Sequence, residues 1–418
     1  SPEESAALAV KNGCDLNCGS IFQHLLKAVE KGLITEAEID RSLARLLRTR
    51  MKLGMFDPPE MVSYAQIPYE INDCEEHRQL ALETARRSMV LLKNENAFLP
   101  LKKETVKSIA VIGPNADRKD ILIGNYFGIP SRYVTPLAGI RQAVGSGVKV
   151  YYAEGCKLNN RQTSFWGEPP TSGFAEALAA AERADVVLLC LGISPELEGE
   201  EGAVANSDGG GDRITLDLPG MQEDLLKAIV ATGKPVILAL FNGSPLTINW
   251  AQENVNAIIE AWYPGEEGGT ALADVIFGAY NPAGRLPITF VKSVEQLPEF
   301  TDYRMQGRTY RYFEEEPLYP FGYGLSYTKF NYNNLTLNSP QLDAGTDQTI
   351  QVAVEVTNSG QHTGAEVVQL YVKDVEASVS VPKWELRRFK RIQLDPGEKQ
   401  TVQFTLSLRD LALIDEEG

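Results

Sequence analysis

The sequence predicts a mostly parallel α/β domain followed by a small all-β domain. Between residues 106 and 329, unbroken apolar runs of strand length alternate with helical stretches, which is typical of a parallel sheet covered on both faces. From about residue 330 onward, apolar and polar residues alternate with a period of two between turn residues, as in an antiparallel sandwich. A chain of 418 residues is long enough for at least two such domains.

The N-terminal region is predicted to be helical. Apolar residues recur at helical spacing through residues 3–52, and Thr35 followed by Glu38 fits a capping box at the start of a helix over 36–52. Gly54 and the proline pair after it end that helix. Because no strands accompany these helices, we expect them to be the tail of a larger domain.

A linker and one further helix, predicted over 75–94, lead into the α/β domain. Helical stretches are predicted over 173–183 and 220–232. The predicted strands of the sheet are 108–113, 148–153, 185–192, 235–241 and 257–262. The alternating runs of the C-terminal domain are 351–357, 366–372 and 400–406.

Composition excludes several classes of protein. A net charge of −16, with basic residues scattered along the chain, disfavours nucleic acid as a partner. No apolar run approaches the length of a membrane helix, and the N-terminal residues have no signal-peptide features. Five sparse cysteines predict neither a disulfide scaffold nor a zinc site, and they leave the redox compartment open.

The segment 195–202 is the candidate catalytic loop. It contains four carboxylates, Glu196, Glu198, Glu200 and Glu201, and it follows the predicted strand 185–192. Ligands of parallel sheets bind beyond the carboxyl ends of the strands, so the topology places these carboxylates at a cleft. Neighbouring carboxylates raise one another's pKa, and desolvation in a cleft does the same. One of these glutamates can then stay protonated near neutral pH, as a general acid must. A solvated acidic loop and a calcium loop remain alternatives, although EF-hand spacing is absent.

Other chemistries find less support. The glycine run 209–211 is not followed by the lysine and hydroxyl residue of a P-loop. His24, His77 and His362 are scattered, and no serine lies in a nucleophile-elbow pattern, which disfavours a serine or cysteine hydrolase. No metal or cofactor is predicted, and no substrate-binding residue is assigned.

Aromatic residues cluster in the second half of the α/β domain. Flat amphipathic rings suit sugar faces, but they serve equally well to lock a domain interface, and we favour the interface. The clusters lie at 262–265, Tyr303, 309–313 and 319–327.

Seven segments together resemble glycoside hydrolase family 3, and they run in the family's order across nearly the whole chain. They are KLGMFD at 52–57, SMVLLKN at 88–94, LPL at 99–101, AVIGPNA at 110–116, WYPGEEGG at 262–269, GRLP at 284–287 and YPFGYGLSY at 319–327. The resemblance implies a (β/α)₈ barrel, an α/β sandwich and a fibronectin type III-like domain. The corresponding predicted regions are 1–57 (closing helices of the barrel), 58–105 (linker and helix), 106–329 (α/β sandwich) and 330–418 (incomplete fibronectin type III-like domain).

The resemblance also implies a retaining, exo-acting β-glycosidase. Such enzymes pair an aspartate nucleophile with a carboxylic acid about 5 Å away, and the family usually takes the aspartate from the barrel and a glutamate acid/base from the α/β sandwich. By similarity to the family's Glu-x-Glu motif, the acid/base is Glu200, and Glu198 is the motif's first member. In the family, an Asp-Arg pair usually follows the acid/base within three residues, whereas here a long loop separates Glu200 from the Asp-Arg pair at 212–213. Glu198 and Glu201 therefore also stay open as the proton donor.

The implied substrate is an oligosaccharide or aryl glycoside. Segments 14–19, 124–128 and 307–313 look more like the β-xylosidase branch than the β-glucosidase branch, and α-arabinofuranosidase side activity stays open. We expect the chain to be a fragment that lacks the nucleophile, with a second chain carrying the barrel as a possible partner. The alternative is a non-catalytic carbohydrate-binding or structural fragment. A homo-oligomer stays open, and a periplasmic or secreted location is favoured over a cytoplasmic one.

Overall fold

The computed structural model describes residues 1–125, 127–159, 169–198, 213–343 and 346–412. The chain divides into two compact units, residues 1–74 and residues 75–418.

The first unit is helical, as predicted. Its helices are α1 (Pro2–Lys11), α2 (Leu25–Glu30) and α3 (Glu36–Lys52). The capping box is confirmed, because the Glu38 N–H donates to Thr35 Oγ1 at 3.3 Å and the Thr35 N–H donates to Glu38 Oε2 at 2.8 Å. Ala7, Val10, Ala28 and Ile34 form its small core. The assignment of these helices to a barrel stays a prediction.

The second unit is built on a six-stranded sheet with the strand order β1-β6-β5-β4-β2-β3. Strand β1 is antiparallel to β6, and all the other pairs are parallel, so the prediction of a mostly parallel sheet is confirmed. The strands are β1 (Val90–Asn94), β2 (Ser108–Ile112), β3 (Lys149–Ala153), β4 (Val186–Gly192), β5 (Val236–Phe241) and β6 (Ala257–Glu260).

One helix prediction was wrong at its end. The helix expected over 75–94 stops at Ser88, and Val90–Asn94 form the edge strand β1. Val90 and Leu92 lie in one hydrophobic core and Leu91 lies in the other, so the run serves both faces of the sheet. Pairing with β6 therefore overrides the helical tendency of this short apolar segment.

Helices cover both faces of the sheet. Ala177 of α6 and Leu225 of α7 belong to the core on one face, whereas Leu137 of α5 and Ala271 of α9 belong to the core on the other. The helices of the α/β region are α4 (Glu75–Ser88), α5 (Pro136–Val144), α6 (Phe174–Arg183), α7 (Gln222–Val230), α8 (Asn249–Asn254), α9 (Gly268–Ile276) and α10 (Thr309–Tyr312).

Helices α5 and α9 touch through glycine. A Cβ added at Gly139 would lie 2.0 Å from the carbonyl oxygen of Gly269, which is too close for any side chain. The contact fixes the start of α9 against α5. It thereby places the loop 261–267, which carries part of the candidate site.

The C-terminal region is a β-sandwich, as predicted. A three-stranded sheet with the order β11-β8-β7 faces a two-stranded sheet of β10 and β9 across a core that includes Val356, Val368 and Val402. Strands β7 and β10 were not among the predicted runs because most of their residues are polar or exposed. The elements are β7 (Phe330–Leu337), β8 (Thr349–Asn358), β9 (Gly364–Val372), β10 (Glu385–Leu394), β11 (Lys399–Ser407) and α11 (Leu408–Leu411).

None of the helices in the described part of the chain combines the length and the apolar character that are needed to cross a bilayer.

Candidate active site

Three loops meet at the carboxyl edge of the parallel sheet. They follow β4, β5 and β6, which are neighbours in the strand order. Parallel neighbours end at the same edge, so residues far apart in sequence come together there. The loops contribute Glu198, the segment 242–244 and the segment 260–263.

The carboxylate of Glu198 is the meeting point of these loops. Its Oε2 accepts the Gly243 N–H at 2.8 Å and the hydroxyl of Tyr263, and its Oε1 accepts the hydroxyl of Ser244. The side chain of Asn125 donates to the Glu198 carbonyl oxygen at 2.8 Å. The end of the described β4 loop is therefore tied to the loops after β5 and β6.

Gly243 allows this close approach. A Cβ at position 243 would lie 2.9 Å from Glu198 Oε2 and 3.1 Å from the ring of Tyr263. The absence of a side chain lets the backbone N–H reach the carboxylate. Burial and the negative charge of Glu198 raise the pKa of Tyr263 far above its usual value, so Tyr263 keeps its hydroxyl proton and acts as a donor.

Arg213 supplies a positive charge beside this cluster. Its Nη1 donates to Ser244 Oγ at 2.9 Å and to the carbonyl oxygen of Pro245 at 2.8 Å. Burial lowers the pKa of Arg213, and the carboxylate of Glu198 opposes that change. Its Nη2 is buried and has no hydrogen-bond partner among the described residues.

A second carboxyl group, Glu260, lies at the end of β6 and is fully buried. Asn242 Nδ2 donates to Glu260 Oε2 and the Trp262 N–H donates to Glu260 Oε1, each at 3.1 Å. Burial raises the pKa of Glu260 to about 8, and the charge of Glu198 adds to this effect, whereas the two donors oppose it. Burial therefore favours the neutral carboxylic acid form of Glu260.

Trp262 adopts a left-handed backbone conformation, with φ of 59°. Such a conformation costs about 1–3 kcal/mol for a residue with a Cβ and persists only where the surroundings hold it. Here the indole N–H donates to the carbonyl oxygen of Ser88 at 3.0 Å, and the ring packs edge-on against Phe290. These contacts aim the next residue, Tyr263, at Glu198.

The chain reverses its direction of winding between β2 and β4, which lie side by side in the sheet. Asn115, which follows β2 and is fully buried, donates its side-chain N–H to the carbonyl oxygen of Ile193 at 3.2 Å. Gly113 has φ of +122°, and a Cβ there would lie 2.1 Å from the Cys190 carbonyl oxygen. These contacts set the direction in which the acidic loop leaves β4.

The structure places two of the four predicted carboxylates. Glu198 is at the centre of the cluster, whereas Glu196 is about half exposed and lies 3.7 Å from Arg118. Glu200, Glu201 and the glycine run 209–211 lie outside the described residues. The roles of Glu198 and Glu200 therefore stay predictions.

Sequence reasoning assigned no site role to six members of the cluster, which are Asn242, Gly243, Ser244, Glu260, Tyr263 and Arg213. Each of Asn242, Ser244, Glu260 and Tyr263 directly follows or ends a buried strand, so the rule that pointed to the acidic loop also applied to them. Arg213 had a different signal, since it belongs to the pair at 212–213 that the family resemblance singles out, but only tertiary contacts bring it to Ser244. Within the described ranges, no three His, Cys, Asp or Glu residues come together as metal ligands would.

The aromatic clusters at 309–313 and 319–327 pack largely on one another and on the β-sandwich. Tyr310 stacks on Phe321 with ring centroids 4.1 Å apart, and Tyr371 of β9 meets Tyr310 edge-on at 6.1 Å. Beside these rings lies a cavity of about 800 Å³, whose lining includes Tyr332 and Trp384. The rings thus join the α/β part to the sandwich and also border an open space.

Comparison with protein families matches residues 89–327, more than half of the chain, to the glycosyl hydrolase family 3 C-terminal domain. The chain belongs to glycoside hydrolase family 3. Residues 366–418 match a fibronectin type III-like domain, which agrees with the sandwich.

The curated relatives of this chain include proteins named as beta-xylosidases and proteins named as beta-glucosidases. A beta-xylosidase of Formosa agariphila is 40% identical over 99% of this chain and 57% of its own length. A periplasmic beta-glucosidase of Salmonella typhimurium is 38% identical over 98% of this chain and 56% of its own length. The chain thus spans just over half the length of these curated relatives.

Two solved glycosidase structures share the fold. A β-glucosidase from Erythrobacter marinus matches with a TM-score of 0.86 and 36% identity, over 99% of this chain and 56% of that one. A family 3 exo-β-xylosidase in complex with a xylobiose aziridine probe matches with a TM-score of 0.87 and 31% identity, over 100% of this chain and 55% of that one.

Proposed function

We propose that this chain is part of a retaining, exo-acting β-glycosidase that removes terminal β-linked sugars, with β-xylosides as preferred substrates and β-glucosides as the alternative. The observation that carries the proposal is the anchoring of the acidic loop by Glu198 at the carboxyl edge of a family 3 sheet. Xylosides come first because relatives named as beta-xylosidases include bacterial, plant and fungal proteins.

In this proposal Glu200 is the general acid/base and Glu198 is its anchor. Both oxygens of Glu198 accept hydrogen bonds from protein donors, which suits a fixed carboxylate and not a group that hands a proton to substrate. Two residues further on, Glu200 protonates the leaving oxygen in the first step. It then takes a proton from the water that releases the sugar in the second step.

The nucleophile is proposed to be an aspartate of a (β/α)₈ barrel, about 5 Å from the acid/base across the scissile bond. Residues 1–57 are the closing helices of that barrel in this proposal. Support comes from the large apolar side chains that the first unit leaves uncovered, including Leu8 at 64% and Leu26 at 71% exposure. A helical layer with such exposed side chains suits packing against further structure.

The test is the release of phenol from aryl β-xyloside and aryl β-glucoside by the gene product as its host makes it. We expect turnover of both, with the higher kcat/KM for the xyloside. Residues 1–418 purified alone are expected to turn over neither, and addition of a barrel chain is expected to restore activity. No hydrolysis of either substrate by the native gene product would overturn the glycosidase. Full turnover by residues 1–418 alone would overturn the proposal that the nucleophile lies on a separate barrel chain.

A second candidate function, carbohydrate binding without catalysis, is favoured by the 800 Å³ cavity beside the β-sandwich. Trp384 and Tyr332 line this cavity, and each is about half exposed. Arg285 and Glu366, paired at 2.9 Å, add hydrogen-bonding groups to the same wall. Flat rings beside polar groups match the apolar faces and hydroxyls of a sugar.

Replacing Trp384 by alanine is expected to weaken the binding of xylo-oligosaccharides to the 418-residue chain by about threefold to tenfold, the usual contribution of one aromatic contact. Isothermal titration calorimetry measures the dissociation constant. Tyr303→Ala is the matched control, because Tyr303 is 88% exposed and is not part of the cavity lining. Equal affinity of the Trp384 variant and the unsubstituted chain would exclude this cavity as the binding site.

A further inference from the structure

Glu260 is a carboxyl group that touches two loops of the site without reaching solvent. It is fully buried at the end of β6. Its two oxygens divide their partners, since Oε1 accepts the Trp262 N–H and Oε2 accepts the side chain of Asn242, each at 3.1 Å. One oxygen thus contacts the loop after β6 and the other contacts the loop after β5.

Both contacts lead to Glu198. Asn242 Nδ2 also donates to the carbonyl oxygen of Ser244 at 3.0 Å, and the hydroxyl of Ser244 donates to Glu198 Oε1. On the other side, Trp262 precedes Tyr263, whose hydroxyl donates to Glu198 Oε2. Each oxygen of Glu198 is therefore held by a loop that Glu260 holds in turn.

The contact with Trp262 has a particular structural role. The left-handed conformation of Trp262, with φ of 59°, turns the chain sharply at the end of β6. A hydrogen bond from the Trp262 N–H to the side chain two residues earlier closes this turn. Without that acceptor, a partly buried N–H donor would be left unsatisfied in a conformation that already costs free energy.

The surroundings of Glu260 favour its neutral form. Its neighbours in the sheet, Val90 on β1 and Leu240 on β5, are apolar. In the part of the chain that the structure describes, the ionisable groups that act on it or that it acts on are Glu198, Tyr263 and Tyr319, all of which are acids. Arg213, the cation of this cluster, donates to Ser244 and Pro245. A buried carboxyl group in such an environment keeps its proton.

We propose that Glu260 is a positioning residue of the glycosidase site, which as a neutral carboxylic acid holds the loops after β5 and β6 in the arrangement that clamps Glu198. The inference rests on the proposed function and deepens it. Ionisation of Glu260 places a second negative charge behind Glu198, and no cation among the described residues makes a hydrogen bond or ion pair with Glu260 to balance it. The clamp then loosens, and the carboxylate of Glu198 loses its fixed position.

The direction of the pH dependence follows from burial. Because the pKa of Glu260 is raised from 4.5 to about 8 in the folded chain, the stabilisation by its neutral form is fully present below pH 4.5. That contribution declines as the pH rises from 4.5 and is lost as the pH passes 8. We expect the activity to fall on the alkaline side of the pH profile as Glu260 ionises.

The first arm of the test measures kcat and KM of the native gene product against pH. Glu260→Gln keeps the shape and an acceptor without ionising, so we expect kcat within about fivefold of the native value at pH 6. Its alkaline limb is expected to move to higher pH. Glu260→Leu removes both acceptors, and we expect kcat to fall at least about tenfold, with a smaller change in KM. Glu253→Gln, an exposed glutamate of α8, is the control and should leave the pH profile unchanged.

The second arm measures urea unfolding of residues 1–418 between pH 5 and pH 9, which needs no activity. We expect Glu260→Gln to gain stability relative to the unsubstituted chain as the pH rises, and Glu253→Gln to show no such gain. If the native gene product has no glycosidase activity but Glu260→Gln still gains stability with rising pH, the proposed function is overturned. The assignment of Glu260 as a neutral buried acid is then retained. Identical pH dependence of Glu260→Gln and the unsubstituted chain in both arms would overturn the inference, and so would unchanged kcat in Glu260→Leu.

Discussion

Replacing Glu200 by glutamine is expected to slow the hydrolysis of a β-xyloside with a poor leaving group at least about a hundredfold, the low end of what a general acid supplies. Glutamine matches the glutamate in size, but its amide has no acidic proton to transfer to the glycosidic oxygen. A leaving group that is stable as an anion needs less protonation. The deficit should therefore shrink as the pKa of the leaving phenol or alcohol falls.

The measurement is kcat/KM of the native gene product on a series of aryl and alkyl β-xylosides. Glu196→Gln is the control, because Glu196 is half exposed and should change the rates by less than about threefold. Glu198→Gln tests the anchor, since an amide cannot accept from all three donors around that side chain. A leaving-group-dependent loss in Glu198→Gln or Glu201→Gln, with Glu200→Gln unaffected, would move the donor to that residue.

Replacing Arg78 by alanine is expected to lower the free energy of unfolding of the second unit by about 3–5 kcal/mol, as for other broken buried ion pairs. Arg78 lies on α4 and is 4% exposed. Its guanidinium donates to Glu266 Oε2 at 2.5 Å and to Glu267 Oε1. Removing it leaves two adjacent, largely buried carboxylates without this cation, and Arg132 remains only at 3.7 Å from Glu267.

Urea unfolding of the 418-residue chain, followed by tryptophan fluorescence, measures this loss. Arg87→Ala is the matched control on the same helix, because Arg87 is largely exposed and pairs with Glu83 one turn earlier. That pair is expected to contribute less than about 0.5 kcal/mol. Equal stability of the two variants would show that the Arg78 pairs contribute no more than a surface pair.

Local patterns predicted most of the secondary structure. The helix over 36–52 was found because its capping residues and its stop signals are adjacent in sequence. The central strands were found because unbroken apolar runs of this length, between helices, fit strands buried on both faces. Strand β1 was missed because the short run from Met89 to Leu92 fits either a helix or a strand, and only pairing with β6 decides between them.

The candidate site was only partly predictable for the same reason. Glu198 is acidic and follows a buried strand, and both of these facts are local. Its partners Gly243, Ser244 and Tyr263 lie 45, 46 and 65 residues further along the chain. No periodicity connects them, because the order of strands in the sheet brings them together.

The sequence by itself determined the fold class, the family resemblance and the position of an acidic loop after the strand predicted over 185–192. Only the tertiary structure decided that both oxygens of Glu198 are occupied by protein donors and that Glu260 is a buried acid behind it. The physical reason is that the protonation and the role of a carboxyl group depend on exclusion of water and on the donors around it. Those surroundings come from β1, β5 and β6 packing side by side.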